Sequence, residues 1–175
     1  PDNNDNSGSL KYVRIEFPGY VYQPNKEING ITFGAVGKST TVDYVQVSFS
    51  NDDAFEWFGG NVNCRHLVSY RNLDDDFDTD NGYSGRVQFG LVIRDSSIAD
   101  VSRSEAFESD NNPTGSTASP KTSVVFSNIT AIGPMATSNN RGSSLYRAGA
   151  HIRRNSEMSL FNSVIIGWPL AIDID

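Results

Sequence analysis

The sequence predicts an all-β chain that folds as a right-handed parallel β-helix of about six coils. No window of the 175 residues carries a capped apolar stripe at helical spacing. Short segments rich in β-branched and aromatic residues recur instead, separated by clusters of Gly, Asn, Asp and Ser. One kind of segment starts at residues 31, 55, 77, 107, 152 and 172. The first two intervals between these starting positions are 24 and 22 residues, and the longer intervals that follow contain inserted loops. A period of this length is typical of a solenoid.

Two kinds of segment alternate along the chain. The longer ones are LKYVRIEF (10–17), VDYVQVSF (42–49), CRHLVSYR (64–71), VQFGLVIR (87–94), VVFSNITAI (124–132) and SLFNSVIIG (159–167). The shorter ones are ITFG (31–34), FEWF (55–58), FDTD (77–80), FESD (107–110), IRRN (152–155) and IDID (172–175). Each segment resembles its own kind one coil away, which indicates that like stacks on like at ~4.8 Å per coil. A sandwich of short strands is the alternative.

The whole chain, 1–175, is interpreted as one domain. It has a polar lead-in over 1–9 and inserted polar loops near 95–105, 110–122 and 137–149. The chain starts in a polar stretch and stops inside the alternating segment LAIDID, so we interpret it as a piece of a longer polypeptide with further domains. The longest uncharged apolar run, 163–172, is too short to span a bilayer.

Charge and cysteine content exclude several classes of function. The formal net charge is −7, which argues against nucleic acid as a partner and against docking on an anionic membrane surface. One cysteine, Cys64, excludes an internal disulfide and a multi-cysteine metal site, and it is expected to be buried in a strand. No second His or Cys lies at ligand spacing from His66 or His151, and His66 is expected to be structural.

The short segments predict an acidic face. Their first and third positions are mostly apolar and should point inward, so the second and fourth should point outward. The fifth segment fits least well, because its register places Arg154 inward. The second positions hold Thr32, Glu56, Asp78, Glu108, Arg153 and Asp173, and the fourth hold Gly34, Phe58, Asp80, Asp110, Asn155 and Asp175.

Stacked carboxylates need something to offset their repulsion, which is about 3 kcal/mol per pair at ~5 Å and an effective dielectric near 20. The densest cluster is LDDDFDTDNGYSG (73–85), where Asp76, Asp78 and Asp80 form a D-x-D-x-D pattern. An EF-hand is excluded because Val87 stands where that motif needs Glu. We predict a calcium site with Asp76, Asp78 and Asp80 as ligands, which NDD (51–53) would extend one coil earlier. A solvated acidic turn is the alternative.

An aromatic residue stands in the acid columns at Phe58. A flat ring beside carboxylates has the composition of a sugar-binding platform, and packing of Phe58 under a loop is the alternative. The candidate ligand-binding residues are Glu56, Phe58, Asp80 and Asp110.

Residues 44–95 carry a family resemblance. The run contains DDAFEWFGG (52–60) and DDDFDTDNGYSG (74–85), and it resembles a family of secreted or lipid-anchored surface proteins of Bacteroidota with motifs DDxFExFGG and DDxFDxDxGxxG. HIRRNS (151–156) and FNSVIIGWP (161–169) are similar to its downstream coils. The resemblance implies a parallel β-helix, export and a location at the cell surface, on the outer-membrane exterior, and it implies no catalytic residue.

The main functional hypothesis is a noncatalytic surface β-helix that binds a glycan or another surface component, with calcium on the acid face. The first alternative is an enzyme similar to pectate lyases or polygalacturonases, whose catalytic residues would be Glu56, Asp78, Glu108 and Arg153. The polygalacturonase motifs are incomplete, because Asp-Asp precedes DTD and the Gly after the histidine is missing. The second alternative is a structural stalk or adhesin segment.

Overall fold

The computed structural model describes residues 2–23 and 27–175, which form thirteen β-strands. No helix occurs in these residues, and so none that could cross a membrane. The strands are β1 (Ser9–Glu16), β2 (Ile31–Gly34), β3 (Thr41–Ser48), β4 (Phe55–Phe58), β5 (Asn63–Tyr70), β6 (Phe77–Asp80), β7 (Arg86–Ile93), β8 (Phe107–Ser109), β9 (Val125–Ile132), β10 (Ala148–Ile152), β11 (Ser159–Phe161), β12 (Val164–Ile166) and β13 (Leu170–Ile174).

The strands stack in two parallel sheets. One has the order β1-β3-β5-β7-β9-β11, with β12 also paired to β9, and the other has the order β2-β4-β6-β8-β10-β13. Each strand therefore pairs with the equivalent strand of the next coil rather than with its neighbour in sequence. This topology confirms the predicted parallel β-helix, and the six-stranded sheet gives six coils.

Each long strand turns a corner at one residue, which the sequence pattern did not predict. Tyr44, His66 and Phe89 have left-handed backbone conformations, with φ of 54°, 51° and 63°. They lie at equivalent places, between the paired positions of β3, β5 and β7. In β3 the buried side chains are therefore Val42 and then Val45, instead of every second residue.

Stacked rings stabilise this corner. Tyr12 stacks on Tyr44 at 5.0 Å between ring centroids, Tyr44 on His66 at 4.2 Å, and His66 on Phe89 at 5.2 Å. The left-handed conformation costs an L-residue roughly 1–2 kcal/mol, and a stacked aromatic pair contributes about 0.5–1.5 kcal/mol, so the stack offsets the strain. Because the rings cover one another's faces, we interpret this ladder as structural.

The interior is aromatic, and its centre is Phe77. Its ring centroid lies 5.7 Å from Phe55, 5.6 Å from Phe107 and 5.7 Å from Phe126, and all four side chains are fully buried. Burial of the first and third positions in β4, β6 and β8 confirms the predicted inward alternation. In β13 the equivalent positions are exposed because no further coil packs against them.

The predicted register of the fifth short segment is wrong. The structure pairs Ala150, His151 and Ile152 with the first three positions of the preceding coil, so the segment begins two residues earlier than IRRN. The reason is that Ala150 and Ile152 form the inward pair, which keeps Arg154 out of the interior. His151 therefore takes the second, outward position, and Arg153 takes the fourth.

The aromatic stack should carry much of the stability. We expect Phe77→Ala to lower the free energy of unfolding by about 3–5 kcal/mol, because it leaves a cavity among three other rings. Phe58→Ala removes the same side chain from an exposed site and should cost under about 1 kcal/mol. Urea denaturation measures both, and equal losses would contradict this account of the core.

Candidate functional site

The acidic face is wider than the two predicted columns. Glu56 of β4 lies in register with Asp78 of β6, and Asp78 with Glu108 of β8. The parallel pairing continues into the turns before these strands, where the Ala54 amide donates to the Asp75 carbonyl oxygen at 2.8 Å. The turn acids therefore stack as well, and they are Asp52, Asp53, Asp74, Asp75 and Glu105.

A cleft of about 540 Å³ opens on this face. The inserted loop 95–105 forms one wall, and the Ser102 hydroxyl donates to Asp74 Oδ2 at 2.9 Å. Asn29 Nδ2 donates to Glu56. The lining residues are Glu27, Asn29, Asp52, Asp53, Glu56, Asp74, Asp100, Val101 and Ser102.

Carboxylates converge at two points in and beside the cleft. One group is Asp52, Asp53 and Asp74, and the other is Asp53, Glu56 and Asp78. In each group one oxygen per residue lies within 4.8 Å of the others. Asp53 belongs to both groups and is buried. Three carboxylates at this separation repel one another, and either protonation or a bound cation would relieve that repulsion.

Burial raises the pKa of every carboxyl in these two groups, and neighbouring acids raise it further. The pKa of Glu56 rises to about 7, mainly by burial and then by Asp52. The pKa of Asp74 rises to about 8, mainly by burial and then by Asp100. The pKa values of Asp53 and Asp78 are also raised well above the usual range, with burial as the first cause. The cleft is therefore partly protonated near neutral pH unless a cation binds.

The three residues predicted as calcium ligands do not lie together. The Asp76 side chain is fully buried, 3.2 Å from Arg94 Nη1, and it accepts a hydrogen bond from Ser69. Asp80 Oδ1 accepts from its neighbour's amide, Asn81 N, at 2.5 Å. Of the three, Asp78 is the one found in a carboxylate cluster of the described residues.

The candidate sugar-binding residues divide into available and occupied groups. Phe58 is 37% exposed, and its register partner Gly34 leaves open space where a side chain would lie. Asp80 is in register with Phe58 on the other side, but it is only 9% exposed. Asp110 is occupied, because Arg153 Nε and Arg154 Nη1 each donate to it at 2.8 Å.

The candidate catalytic residues also divide. Arg153 donates to Glu108, so these two form an ion pair away from the cleft. Glu56 and Asp78 lie together, with oxygens within 4.8 Å. An inverting glycosidase separates its carboxyls by about 6.5–9.5 Å to admit water, and the Glu56–Asp78 pair is closer than that.

Cys64 is buried in the interior, His66 lies in the corner ladder, and His151 lies beside acids. Cys64 is fully buried, which confirms the prediction, and burial raises the pKa of its thiol to about 12. His66 stacks in the corner ladder, with Nδ1 2.7 Å from Asp43 Oδ1. His151 was not identified as a site residue from sequence, because its position depends on the corrected register of β10.

Replacing Asp76 should damage the fold rather than a cation site. Asp76→Asn leaves Arg94 as a buried charge without its carboxylate, and we expect a loss of about 3–5 kcal/mol in the free energy of unfolding. Asp78→Asn should be neutral or stabilising in chelator at pH 8, since it removes a repelled carboxylate. Denaturation in chelator measures both, and a larger loss for Asp78→Asn would contradict these assignments.

The raised carboxyl pKa values predict how stability depends on pH. Groups whose pKa is higher in the folded state stabilise the fold at low pH and lose that contribution as pH rises through the folded pKa. For Glu56 and Asp74 this window runs from about pH 4 to 8. In chelator we expect the melting temperature to fall by roughly 5–10 °C between pH 5 and pH 8, and calcium to reduce that fall. A melting temperature that rises over this range would contradict the account.

Comparison with known proteins agrees with the strand topology. No curated protein and no solved structure matches the chain. The family model described as "Pectate-lyase like beta helix domain" matches residues 1–175, the full length of the chain. The chain therefore belongs to the pectate-lyase-like β-helix family.

Proposed function

We propose that this domain binds calcium in the acidic cleft and, through it, an acidic glycan at the cell surface, without cleaving the glycan. The observation that carries the proposal is the position of Asp53, which is buried and shared by two groups of converging carboxylates. A cation there removes the repulsion in both groups at once.

The chemistry of the cleft favours calcium over a softer ion. Calcium takes six to eight oxygen ligands in flexible geometry, and the cleft offers carboxylates together with the hydroxyl of Ser102 and the amide of Asn29. An open cleft leaves coordination positions for oxygens of a second molecule. Export to the cell surface, which the resemblance implies, would expose the site to calcium in the range at which extracellular modules bind it, about 10⁻⁴–10⁻³ M.

The charge of the chain favours a bridged mode of binding. With a net charge of −7, the domain would repel a uronate polymer, and calcium can join carboxylates on the two sides. Glu56 lines the cleft, and Phe58 lies two residues further along the same strand with an exposed ring. We propose that a sugar stacks on Phe58 and that Asp80 accepts from its hydroxyls.

A polysaccharide-degrading enzyme is the second candidate. The observation that favours it is the pKa of about 7 at Glu56, because a general acid at neutral pH needs a pKa in that range. The family is also described as pectate-lyase-like. A structural stalk is the remaining alternative, and it requires neither binding nor cleavage.

Calorimetric titration with calcium, followed by polygalacturonate, tests the proposal. We expect Asp53→Asn to weaken calcium binding at least tenfold and to abolish calcium-dependent retention on polygalacturonate. Glu157→Gln removes an exposed acid elsewhere and should leave both unchanged.

The products formed distinguish the candidates. Retention without new unsaturated or reducing ends supports the binding domain. New ends that disappear in Glu56→Gln support the enzyme instead. Failure of the wild-type chain to bind either calcium or polygalacturonate contradicts the proposal and favours the stalk.

A further inference from the structure

A second cluster lies one coil beyond the cleft and contains the only described histidine on the acidic face. Glu105 precedes β8, Glu108 lies in β8, and His151 of β10 is in register with Glu108. His151 Nδ1 is 3.6 Å from Glu105 Oε1 and 3.7 Å from Glu108 Oε2. These distances are too long for hydrogen bonds.

Two buried atoms of this cluster have no hydrogen-bond partner. They are His151 Nδ1 and Glu105 Oε2, and the side chains are 1% and 2% exposed. An unpaired buried polar group costs about 1–3 kcal/mol. Both side chains therefore present unpaired polar atoms inside one small group.

The other nitrogen of His151 fixes which atom faces the carboxylates. Nε2 lies 3.3 Å from Asp175 Oδ2 and donates its proton there. In a neutral ring Nδ1 then carries a lone pair, directed at two carboxylate oxygens. Burial lowers the pKa of His151, but Glu108 and Asp175 raise it above its ordinary value overall, so a metal would have to displace a proton from Nδ1. A histidine whose far nitrogen is held by a carboxylate is the usual arrangement of a metal ligand.

We propose that Glu105, Glu108 and His151 bind a divalent first-row transition metal such as Zn²⁺. Ligand atoms with bonds of about 2.0–2.1 Å to a tetrahedral ion lie roughly 3.3 Å apart, close to the separations seen here. Imidazole with carboxylate suits such an ion, whereas calcium prefers oxygen alone. This inference does not depend on the proposed calcium site.

The surrounding ion pairs leave room for a divalent charge. Arg153 donates to Glu108 Oε1, which leaves Oε2 directed at His151. With His151 neutral, five carboxylates face three guanidinium groups around the cluster, an excess of two negative charges. They are Glu105, Glu108, Asp110, Asp173 and Asp175 against Arg147, Arg153 and Arg154. Glu108 is 16% exposed, so it is the one proposed ligand with appreciable contact to solvent.

Titration of the full chain with Co²⁺ in saturating calcium tests the proposal, because Co²⁺ reports its own coordination by visible absorption. We expect one Co²⁺ per chain, displaced by Zn²⁺, and at least tenfold weaker binding in His151→Gln and in Glu105→Gln. His66→Gln, at the other histidine, and Glu157→Gln, at an exposed acid outside both clusters, are the matched controls and should keep binding.

A measurement on the wild-type chain covers the case in which these variants fail to fold. In histidine ¹⁵N spectra, Zn²⁺ should shift Nδ1 of His151 and leave Nε2 protonated. Unchanged Co²⁺ binding in His151→Gln, no Co²⁺ binding by the wild type, or a ring that stays protonated at both nitrogens in Zn²⁺ would each overturn the proposal. The last result would mean that a proton on His151 Nδ1, paired with Glu105 and Glu108, occupies the proposed metal position.

Discussion

In-register stacking of parallel coils is the constraint on which the rest of this structure depends. Each strand pairs with the equivalent strand one coil away. The side chains at equivalent positions of successive coils therefore stack in a column at the strand spacing. Inside, the columns are aromatic rings, and stacking them is favourable. Outside, three coils carry acids, and stacking them is unfavourable. The functional chemistry of the domain follows from how that repulsion is relieved.

The acidic face relieves it in two ways along the stack. Towards β8 and β10, arginine side chains neutralise part of the carboxylate charge, as Arg153 and Arg154 do for Asp110. Around β4 and β6 the cleft lining includes no basic residue among those described, and the carboxyl pKa values rise instead. A bound cation is the remaining way to keep these acids ionised at neutral pH, so the difference between the two ends locates the proposed calcium site.

The fold could be predicted from sequence, and the composition of the site only in part. Regular spacing and alternation of large apolar residues gave the correct register through Phe55, Phe77 and Phe107. The fifth coil failed because a long insertion precedes it and its inward residue, Ala150, is small. The calcium ligands were predicted from local spacing, which could not show that Arg94, from the next long strand, holds Asp76 in the interior. The corners at Tyr44 and His66 were missed because neither residue is the Gly or Asn that usually marks a left-handed conformation.

The most direct test of the central claim is a crystal structure of the chain grown with calcium, at a wavelength where the anomalous signal identifies the ion. The account predicts a peak in the cleft within about 2.3–2.6 Å of an Asp53 oxygen, coordinated also by Glu56 and Asp78 or by Asp52 and Asp74. An ordered cleft at saturating calcium that contains only water, with its carboxylates paired to one another through protons, would contradict it.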